Sequence, residues 1–224
     1  MTRQTALVFD LDGTLVDSVY QHVLAWREAL QEVDIELSVW RIHRRIGMSG
    51  GLFTQALMRE MEHPMDQSLL DRLQQLHADY YAAKKHQIVP LPGAKKLLKR
   101  LTELDIPWAI ATSGRMRSAG PTLKDLEVPD HIPIVTRDLV PYAKPNPDLF
   151  LEAVHQLGVE VNDTIVVGDS VWDLLAARRA RTLGVGLLSG GYGEEELERA
   201  GAYRVYEDPA EMLRHLDELG VRGR

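Results

Sequence analysis

The sequence predicts an α/β protein with a doubly wound parallel sheet and an inserted, small all-helical domain. Short apolar runs recur along its 224 residues, and several are followed by Gly, Asp or Ser and then by a helical pattern. Runs without polar alternation are typical of strands that are covered on both faces, as in a parallel sheet. One stretch of about 70 residues shows helical periodicity alone, which is too long for a simple connection.

The alternation of strand and helix is clearest outside that stretch. The predicted strands lie at 6–9, 108–111, 132–135, 164–167 and 185–188. The predicted helices lie at 94–104, 147–157, 171–182 and 194–200, and a further helix is possible after residue 114. This order predicts a sheet with helices on both faces.

The inserted helical domain runs from about Val19 to about Ile88. Apolar side chains recur at helical spacing in three groups, which are Val23, Trp26, Leu30 and Val33; Leu52, Ala56, Leu57 and Met61; and Leu69, Leu73, Leu76 and Tyr80. Prolines in the segment 89–93 stiffen the return to the sheet. We therefore predict a core of residues 1–17 and 89–224 and a helical domain of residues 18–88.

Composition excludes several classes of protein. The chain contains no Cys, which rules out disulfides, thiolate nucleophiles and Cys-ligated metal centres. No apolar stretch approaches the roughly 18 residues of a membrane helix, and the apolar run after Thr5 is too short to predict the hydrophobic region of a signal sequence. The formal net charge of −7 argues against a nucleic-acid partner. We expect a soluble, cytoplasmic protein with no membrane partner.

Two carboxylates follow the first predicted strand, in the segment Asp10-Leu11-Asp12-Gly13-Thr14. Residues two apart in an extended chain project from the same side, so Asp10 and Asp12 lie together at the carboxyl end of a strand. Open α/β sheets bind ligands at that edge. Because adjacent carboxylates repel each other, the pair predicts a hard divalent cation such as Mg²⁺. A solvated turn is the alternative.

Further polar groups follow other predicted strands. Asp169, in Gly168-Asp169-Ser170, and Asp173 place more carboxylates after an apolar run, where they would complete a metal site. Thr112-Ser113-Gly114 supplies hydroxyl and N–H groups that suit a phosphate oxygen. Lys144 offers an ammonium in a proline-rich loop. Because these clusters converge on one edge of the sheet, we interpret them as one site.

In this order, the motifs resemble the haloacid dehalogenase (HAD) superfamily over essentially the whole chain. The helical insertion resembles the small helical cap of that superfamily. The segments 144–147 and 89–93 resemble the subgroup of phosphoglycolate phosphatase and β-phosphoglucomutase. The resemblance implies a Rossmann-like core, Mg²⁺ as cofactor and hydrolysis of a small phosphorylated metabolite, either phosphoglycolate or a sugar phosphate.

The resemblance also implies catalytic roles. Asp10 would attack phosphorus and form an aspartyl-phosphate. Asp12 would act as the general acid and then as the general base. Thr112 would hydrogen-bond the phosphoryl oxygens, and Lys144 would neutralise charge on the phosphoryl group and on Asp10.

A metal site and a phosphate site are implied in the same way. Mg²⁺ would be held by Asp10, the backbone carbonyl of Asp12, and Asp169. Asp173 would act through water or by orienting Lys144. The remaining phosphate contacts would come from Gly13, Ser113 and Gly114.

Substrate contacts would come largely from the cap, which closes over the site. The candidates are His22, Arg44, Arg45, Met48 and Ser49. Packing between helices is the alternative for His22, and a solvated helix face is the alternative for the arginines. Met48, beside several glycines, would otherwise serve as a hinge.

Two other activities stay open. A β-phosphoglucomutase-like mutase would have an Arg after its Gly-x-Ser, where this chain has Gly50, and an acidic pair where it has Gly168-Asp169. Both differences favour hydrolysis, while Asp12 argues against dehalogenation. A serine esterase is the second alternative, because 47–51 fits G-x-S-x-G and 168–170 reads Gly-Asp-Ser, although no strand is predicted before Ser49. A monomer and a homodimer are both compatible with the sequence.

Overall fold

A six-stranded parallel sheet forms the centre of the protein in a computed structural model, which describes residues 5–60 and 66–221. Its six strands are β1 (Ala6–Phe9), β4 (Trp108–Ala111), β5 (Ile134–Val135), β6 (Thr164–Gly168), β7 (Leu183–Leu187) and β8 (Ala202–Tyr206). Two short strands, β2 (Val16–Asp17) and β3 (Val89–Pro90), pair with each other outside this sheet. The order across the sheet is β5-β4-β1-β6-β7-β8, and each strand is parallel to its neighbours. The predicted α/β class is confirmed.

The predicted strands agree best at the centre of the sheet. β1 and β4 match their predictions residue for residue, whereas β5, β6 and β7 differ at their ends. β5 is short, and Pro133 directly before it has no N–H to donate to a ladder. β8 was not predicted because Tyr203 and Arg204 are exposed on this edge strand, so no continuous apolar run marks it.

Ten α-helices surround the sheet or form the insertion, in the part of the chain that the structure describes. They are α1 (Val19–Gln31), α2 (Val39–His43), α3 (Gly50–Glu60), α4 (Gln67–Ala83), α5 (Ala94–Glu103), α6 (Met116–Asp125), α7 (Asp148–Leu157), α8 (Val171–Ala180), α9 (Glu194–Ala200) and α10 (Pro209–Arg214). The four predicted helices of the core correspond to α5, α7, α8 and α9, within two residues at each end.

Both faces of the sheet are covered, which explains the lack of polar alternation in its central strands. Leu7 and Phe9 of β1 belong to a buried cluster with residues of α5 and α10. Val8, between them, points into a second cluster with residues of α7 and α8. Because successive side chains of a strand alternate between faces, β1 must be apolar throughout to bury both sides.

Helices α1 to α4 pack around a separate apolar cluster. Val23, Trp26 and Leu30 of α1 are buried there, as their spacing predicts. On α3 Leu57 is buried as predicted, but Leu52 and Ala56 are only half-buried and Phe53, outside the predicted set, is buried, so the contact face is rotated from the predicted one. Met61, which the same prediction included, lies outside the described residues.

The insertion leaves and rejoins the core at one place. Val16 and Asp17 of β2 pair antiparallel with Pro90 and Val89 of β3. The chain before α1 and the chain after α4 are thereby held side by side. The division at residues 18–88 stays a prediction. None of the helices in the ranges 5–60 and 66–221 combines the length and the apolar character needed to cross a membrane.

Candidate active site

Three strand ends meet at the centre of the sheet, because β1 lies between β4 and β6. Asp10 follows β1, Thr112 follows β4 and Asp169 follows β6. Since all three strands are parallel, these residues share one edge of the sheet. The convergence expected from the sequence is therefore present for these three side chains, each of which is at most 3% exposed.

Asp10, Asp169 and Asp173 form a buried cluster of carboxylates. One oxygen of each lies within 4.8 Å of one oxygen of each of the others. Buried like charges this close raise one another's free energy, so the cluster needs a cation or bound protons. A donor set made only of carboxylate oxygens is the type that hard divalent cations prefer. The cluster fits a divalent metal ion.

Lys144 lies within this cluster and is fully buried. Its Nζ contacts the carboxylate of Asp10 and lies 2.8 Å from Oδ1 of Asp173. Burial lowers the pKa of Lys144, but Asp10 and Asp173 raise it more, so the ammonium keeps its charge. The peptide bond between Lys144 and Pro145 is cis.

One lysine does not balance three buried carboxylates. Burial raises the pKa of Asp10 to about 7, because Asp173 and Asp12 add to this effect and Lys144 offsets only part of it. Burial, together with Asp173 and Asp10, also raises the pKa of Asp169 well above its usual range. In the absence of a metal, burial therefore favours the protonated forms of Asp10 and Asp169, and a divalent cation would replace the protons.

The start of α8 fixes the position of Asp173. The side-chain Oδ2 of Asp173 accepts hydrogen bonds from the backbone N–H of Ser170 at 3.1 Å and from its hydroxyl at 2.5 Å. This capping box leaves Oδ1 for Lys144. Because the Ser170 hydroxyl donates to a carboxylate and not to a histidine base, this serine is not arranged as a nucleophile.

Glycines allow the chain to approach Asp169 closely. A Cβ on Gly13, which has φ +82°, would lie 2.5 Å from Oδ2 of Asp169, and a Cβ on Gly190 would lie 1.8 Å from the same atom. Thr14 donates from its hydroxyl to the other oxygen, Oδ1, at 2.9 Å. The N–H of Gly13 donates to the carbonyl of Val16, and the phosphate role of Gly13 stays a prediction.

Asp12 has a different environment from that of the buried cluster. Its Oδ1 accepts hydrogen bonds from the hydroxyl of Ser18 at 2.6 Å and of Tyr81 at 3.2 Å, and Nε2 of His22 lies 3.4 Å away. Burial raises the pKa of Asp12, but His22, Ser18 and Tyr81 outweigh it and lower the pKa to about 2. Two neighbouring carboxyl groups, Asp10 and Asp12, thus have pKa values on opposite sides of the ordinary one.

His22 is brought to Asp12 by aromatic stacking between α1 and α4. Its ring stacks on Tyr81 with 3.8 Å between centroids, and its Nδ1 lies 3.1 Å from Nε2 of His77. His77 stacks in turn on Trp26 at 4.2 Å. Burial, and the neighbouring His22, lower the pKa of His77 well below its usual range. The packing that was the alternative for His22 is present, together with a contact to a carboxylate of the predicted site.

The segment 112–114 is only partly available to a ligand. Thr112 accepts a hydrogen bond at its Oγ1 from the N–H of Gly114 at 3.0 Å, and this hydrogen bond does not use the hydroxyl proton of Thr112. A Cβ on Gly114 would lie 4.0 Å from Oδ2 of Asp12, so this turn borders the predicted site. Ser113 donates its hydroxyl to the carbonyl of Gly47 at 2.9 Å, and it thereby joins the core to the helical insertion.

Two predicted substrate residues have other partners. Ser49 is buried at the start of α3, and its Oγ accepts the N–H of Leu52 at 3.4 Å. Helix α2 and a turn precede it, so the strand that a G-x-S-x-G nucleophile requires is absent at this place. Arg45 forms an ion pair with Glu60 of α3. Their substrate roles stay predictions.

Two further candidates, Arg44 and Met48, have different surroundings. Arg44 pairs with Glu196 of α9, and its backbone carbonyl accepts hydrogen bonds from Trp172 and Tyr192, both at 3.1 Å. Met48 is half-buried and packs against the apolar cluster of helices α1 to α4. Arg44 therefore joins the insertion to the core.

The family follows from the sequence as well as from this geometry. A model of the haloacid dehalogenase-like hydrolases matches residues 4–181. The chain belongs to this family. The matched part of this HAD-like hydrolase includes the strand ends of β1, β4 and β6, the Lys144 loop and the start of α8.

Individual relatives cover most of the chain. The hydrolase is 31% identical to a phosphoglycolate phosphatase of Neisseria meningitidis over 86% of its own length and 83% of the relative. A hydrolase from Pseudomonas syringae has a similar crystal structure, with a TM-score of 0.92, 53% identity and coverage of 96% of this chain and 99% of the other. A β-phosphoglucomutase from Clostridium difficile shares the fold, with a TM-score of 0.83 and 22% identity over 96% of each chain.

Sequence reasoning missed several residues that shape the site of this HAD-like hydrolase. Ser18 and Thr14 are close in sequence to the carboxylates of Asp10 and Asp12, so their proximity was a usable signal. Tyr81 lies 69 residues from Asp12, and His77 lies 55 residues from His22. Both belong to α4, and their periodicity predicts only a buried helix face.

Proposed function

We propose that this HAD-like hydrolase is a Mg²⁺-dependent phosphomonoesterase for a small phosphorylated metabolite, of the phosphoglycolate or sugar-phosphate class. The observation that carries the proposal is the buried contact of Lys144 with Asp10 and Asp173, beside Asp169. A carboxylate that is paired with a buried ammonium at the edge of the sheet suits attack on a phosphoryl group. The Neisseria meningitidis relative, a phosphoglycolate phosphatase, supports the substrate class.

Asp10 is the proposed nucleophile. One carboxylate oxygen attacks phosphorus, the bond from phosphorus to the leaving oxygen breaks, and an aspartyl-phosphate forms. Lys144 contacts this carboxylate and is positioned to offset negative charge on the transferred group. The hydroxyl proton of Thr112 is proposed to be donated to a phosphoryl oxygen, because the N–H of Gly114 already occupies a lone pair of that hydroxyl.

Asp12 is the proposed general acid and base. It gives a proton to the leaving alcohol oxygen and then takes one from the water that hydrolyses the aspartyl-phosphate. The donors Ser18 and Tyr81, together with His22, stabilise its ionised form, which suits the base step. Loss of the contacts from α1 and α4 would raise the pKa of Asp12 and suit the acid step, because fewer donors would face the anion.

The proposed metal ligands are Asp10, Asp169 and the backbone carbonyl of Asp12, with Asp173 holding Lys144 in place. A bound Mg²⁺ supplies positive charge that stabilises the transferred phosphoryl group. Asp173 is assigned the outer position because its two oxygens already contact Ser170 and Lys144.

The experiment that tests this function is a hydrolysis assay of the whole chain on a panel of phosphorylated metabolites with Mg²⁺, including phosphoglycolate and sugar phosphates. We expect phosphate release from at least one of them and its loss in EDTA. Conversion of β-glucose 1-phosphate to glucose 6-phosphate without phosphate release would favour the mutase. Cleavage of p-nitrophenyl acetate that survives EDTA, with no phosphate release, would favour a serine esterase.

The stabilising effect of Mg²⁺ is expected to depend on pH. Asp10 and Asp169 have raised pKa values in the folded protein without metal, so folding takes up protons between about pH 4 and pH 7, and stability falls as pH rises through this range. Mg²⁺ must displace those protons, so its apparent affinity increases with pH. At a concentration about 100 times its Kd at pH 8, Mg²⁺ should raise the melting temperature by about 5 to 10 °C.

At pH 5.5 the same Mg²⁺ concentration should give a much smaller increase in melting temperature. Thermal melts at the two pH values, with and without EDTA, measure the difference. Asp169→Asn should remove most of the effect at pH 8, because it removes a proposed ligand. Equal shifts at both pH values would contradict this coupling of metal binding to proton release.

Four other predictions from the sequence stay predictions. They are a cytoplasmic location, a monomer or homodimer, and the lack of a nucleic-acid partner and of a membrane partner. The proposed small-molecule substrate requires none of these partners.

A further inference from the structure

A cavity of about 530 Å³ lies between the helical insertion and the core. Residues of α2 and α3 and of the turn between them form most of its lining, and Trp172 of α8 contributes from the core. Trp40, Arg41, Arg45 and Glu60 are among the residues from the insertion. The volume lies within the usual range of small-molecule sites.

The lining of the cavity is cationic in a chain whose net charge is −7. Three arginines and one glutamate line it. Arg44 is already paired with Glu196, outside the lining. Arg41 and Arg45 share the single carboxylate of Glu60, at 3.9 Å for Arg41 and in direct contact for Arg45. After these pairings an excess of one positive charge faces the cavity, and an anion would complement it.

Flat apolar surfaces accompany this charge. The Trp40 side chain is 63% exposed, and the guanidinium of Arg41 lies 5.3 Å from the centre of its ring. Trp172 is fixed by the hydrogen bond from its indole N–H to the carbonyl of Arg44. Exposed indole surface beside a guanidinium favours a ligand that combines a flat apolar group with a negative charge.

The cavity is distinct from the proposed phosphoryl site. Asp10, Asp12, Asp169 and Lys144 are not among the residues that line it. Gly47, in the turn between α2 and α3, packs against the start of α8. A Cβ on Gly47 would lie 2.7 Å from Ser170 Oγ and 3.2 Å from the Trp172 ring. The Gly47 carbonyl is also held by Ser113. A ligand of the cavity would contact both the insertion and the core.

We propose that this cavity binds a small anion that carries a flat apolar group, at a site separate from the phosphoryl site. The arginines recognise the charge, and the indole of Trp40 packs against the apolar group. The proposal does not depend on which phosphorylated metabolite is hydrolysed.

The first test uses 2-naphthalenesulfonate as the probe, titrated into the whole protein by calorimetry. Sulfate supplies the charge without the ring, and 2-naphthol supplies the ring without the charge at neutral pH. We expect saturable binding of the probe, at least about 10-fold tighter than that of either control compound. Absence of saturable binding up to about 1 mM would overturn the proposal.

Two variants locate the probe. Trp40→Ala should weaken binding by about 5- to 10-fold through loss of stacking. Glu60→Gln should strengthen it by about 3-fold or more, because a competing carboxylate is removed. Tyr142→Ala is the matched control, since Tyr142 is also 63% exposed but does not line the cavity. Unchanged binding by Trp40→Ala, or weaker binding by a folded Glu60→Gln, would overturn the assignment.

Separateness is tested by repeating the titration with Mg²⁺ and saturating inorganic phosphate. We expect the Kd of the probe to change by less than about 2-fold, because the two anions occupy different sites. Displacement of the probe by phosphate would place it in the phosphoryl site and overturn the proposal. Trp40→Ala should keep the phosphatase activity on p-nitrophenyl phosphate, since Trp40 lies outside the proposed catalytic residues.

Discussion

Asp10→Asn is expected to lower the hydrolysis of p-nitrophenyl phosphate by at least about 10,000-fold. Asn keeps the shape of the side chain but cannot form the aspartyl-phosphate. Stability should not fall in the same way. Burial disfavours the ionised form of Asp10 and raises its pKa, and Lys144 keeps Asp173 as a partner in the variant. We therefore expect a melting temperature in EDTA that is equal to that of the wild type or higher.

The measurement is kcat with Mg²⁺ together with thermal melts in EDTA. Asp125→Asn is the matched control, because Asp125 is exposed at the end of α6, and it should keep full activity. If kcat of Asp10→Asn were within about 100-fold of the wild-type kcat, the covalent mechanism would be excluded, because loss of a nucleophile usually lowers kcat far more. Loss of folding would show that the Asp10 contact with Lys144 is needed for stability.

Lys144→Met is expected to lower both stability and activity. The substitution leaves three buried carboxylates with no buried ammonium, and removing one partner of a buried ion pair typically costs about 3–5 kcal/mol. Activity should fall by at least about 100-fold, because charge on the transferred group is no longer offset. The free energy of unfolding in EDTA and kcat with Mg²⁺ measure the two effects.

The double variant Lys144→Met/Asp173→Asn separates charge from packing. It removes one carboxylate together with the ammonium, so about 1–2 kcal/mol of the lost stability should return. Lys124→Met, at an exposed position of α6, should leave both quantities close to those of the wild type. If Lys144→Met were as stable as the wild type in EDTA, the electrostatic account of the cluster would be wrong.

The central strands could be predicted from sequence because their environment is simple. β1 and β4 are buried on both faces, so every residue is apolar and the run has clear ends. β8 could not be predicted in this way, because it is an edge strand with exposed side chains at Tyr203 and Arg204. The contact face of α3 could not be predicted fully either, because Phe53 stacks on Trp26 of α1. These two residues are 27 positions apart in the chain, and periodicity within α3 does not record their contact.

The sequence by itself determined the strand-end chemistry. Asp10, Thr112 and Asp169 each follow an apolar strand, and parallel strands must end at one edge, so local order was sufficient to bring them together. The proline-rich loop made Lys144 a candidate for the same site, and the resemblance to a family gave it a role. The tertiary structure decided that its Nζ lies between Asp10 and Asp173.

Only the tertiary structure decided which groups surround Asp12 and where Gly13 directs its N–H. Tyr81 and His22 reach Asp12 because α1 and α4 pack together, and nothing in the spacing of two distant segments records that contact. The cavity between Trp40 and Trp172 likewise requires two surfaces that are 132 residues apart in the chain. Periodicity reports which side of an element is buried, whereas the partner on that side depends on how the elements pack.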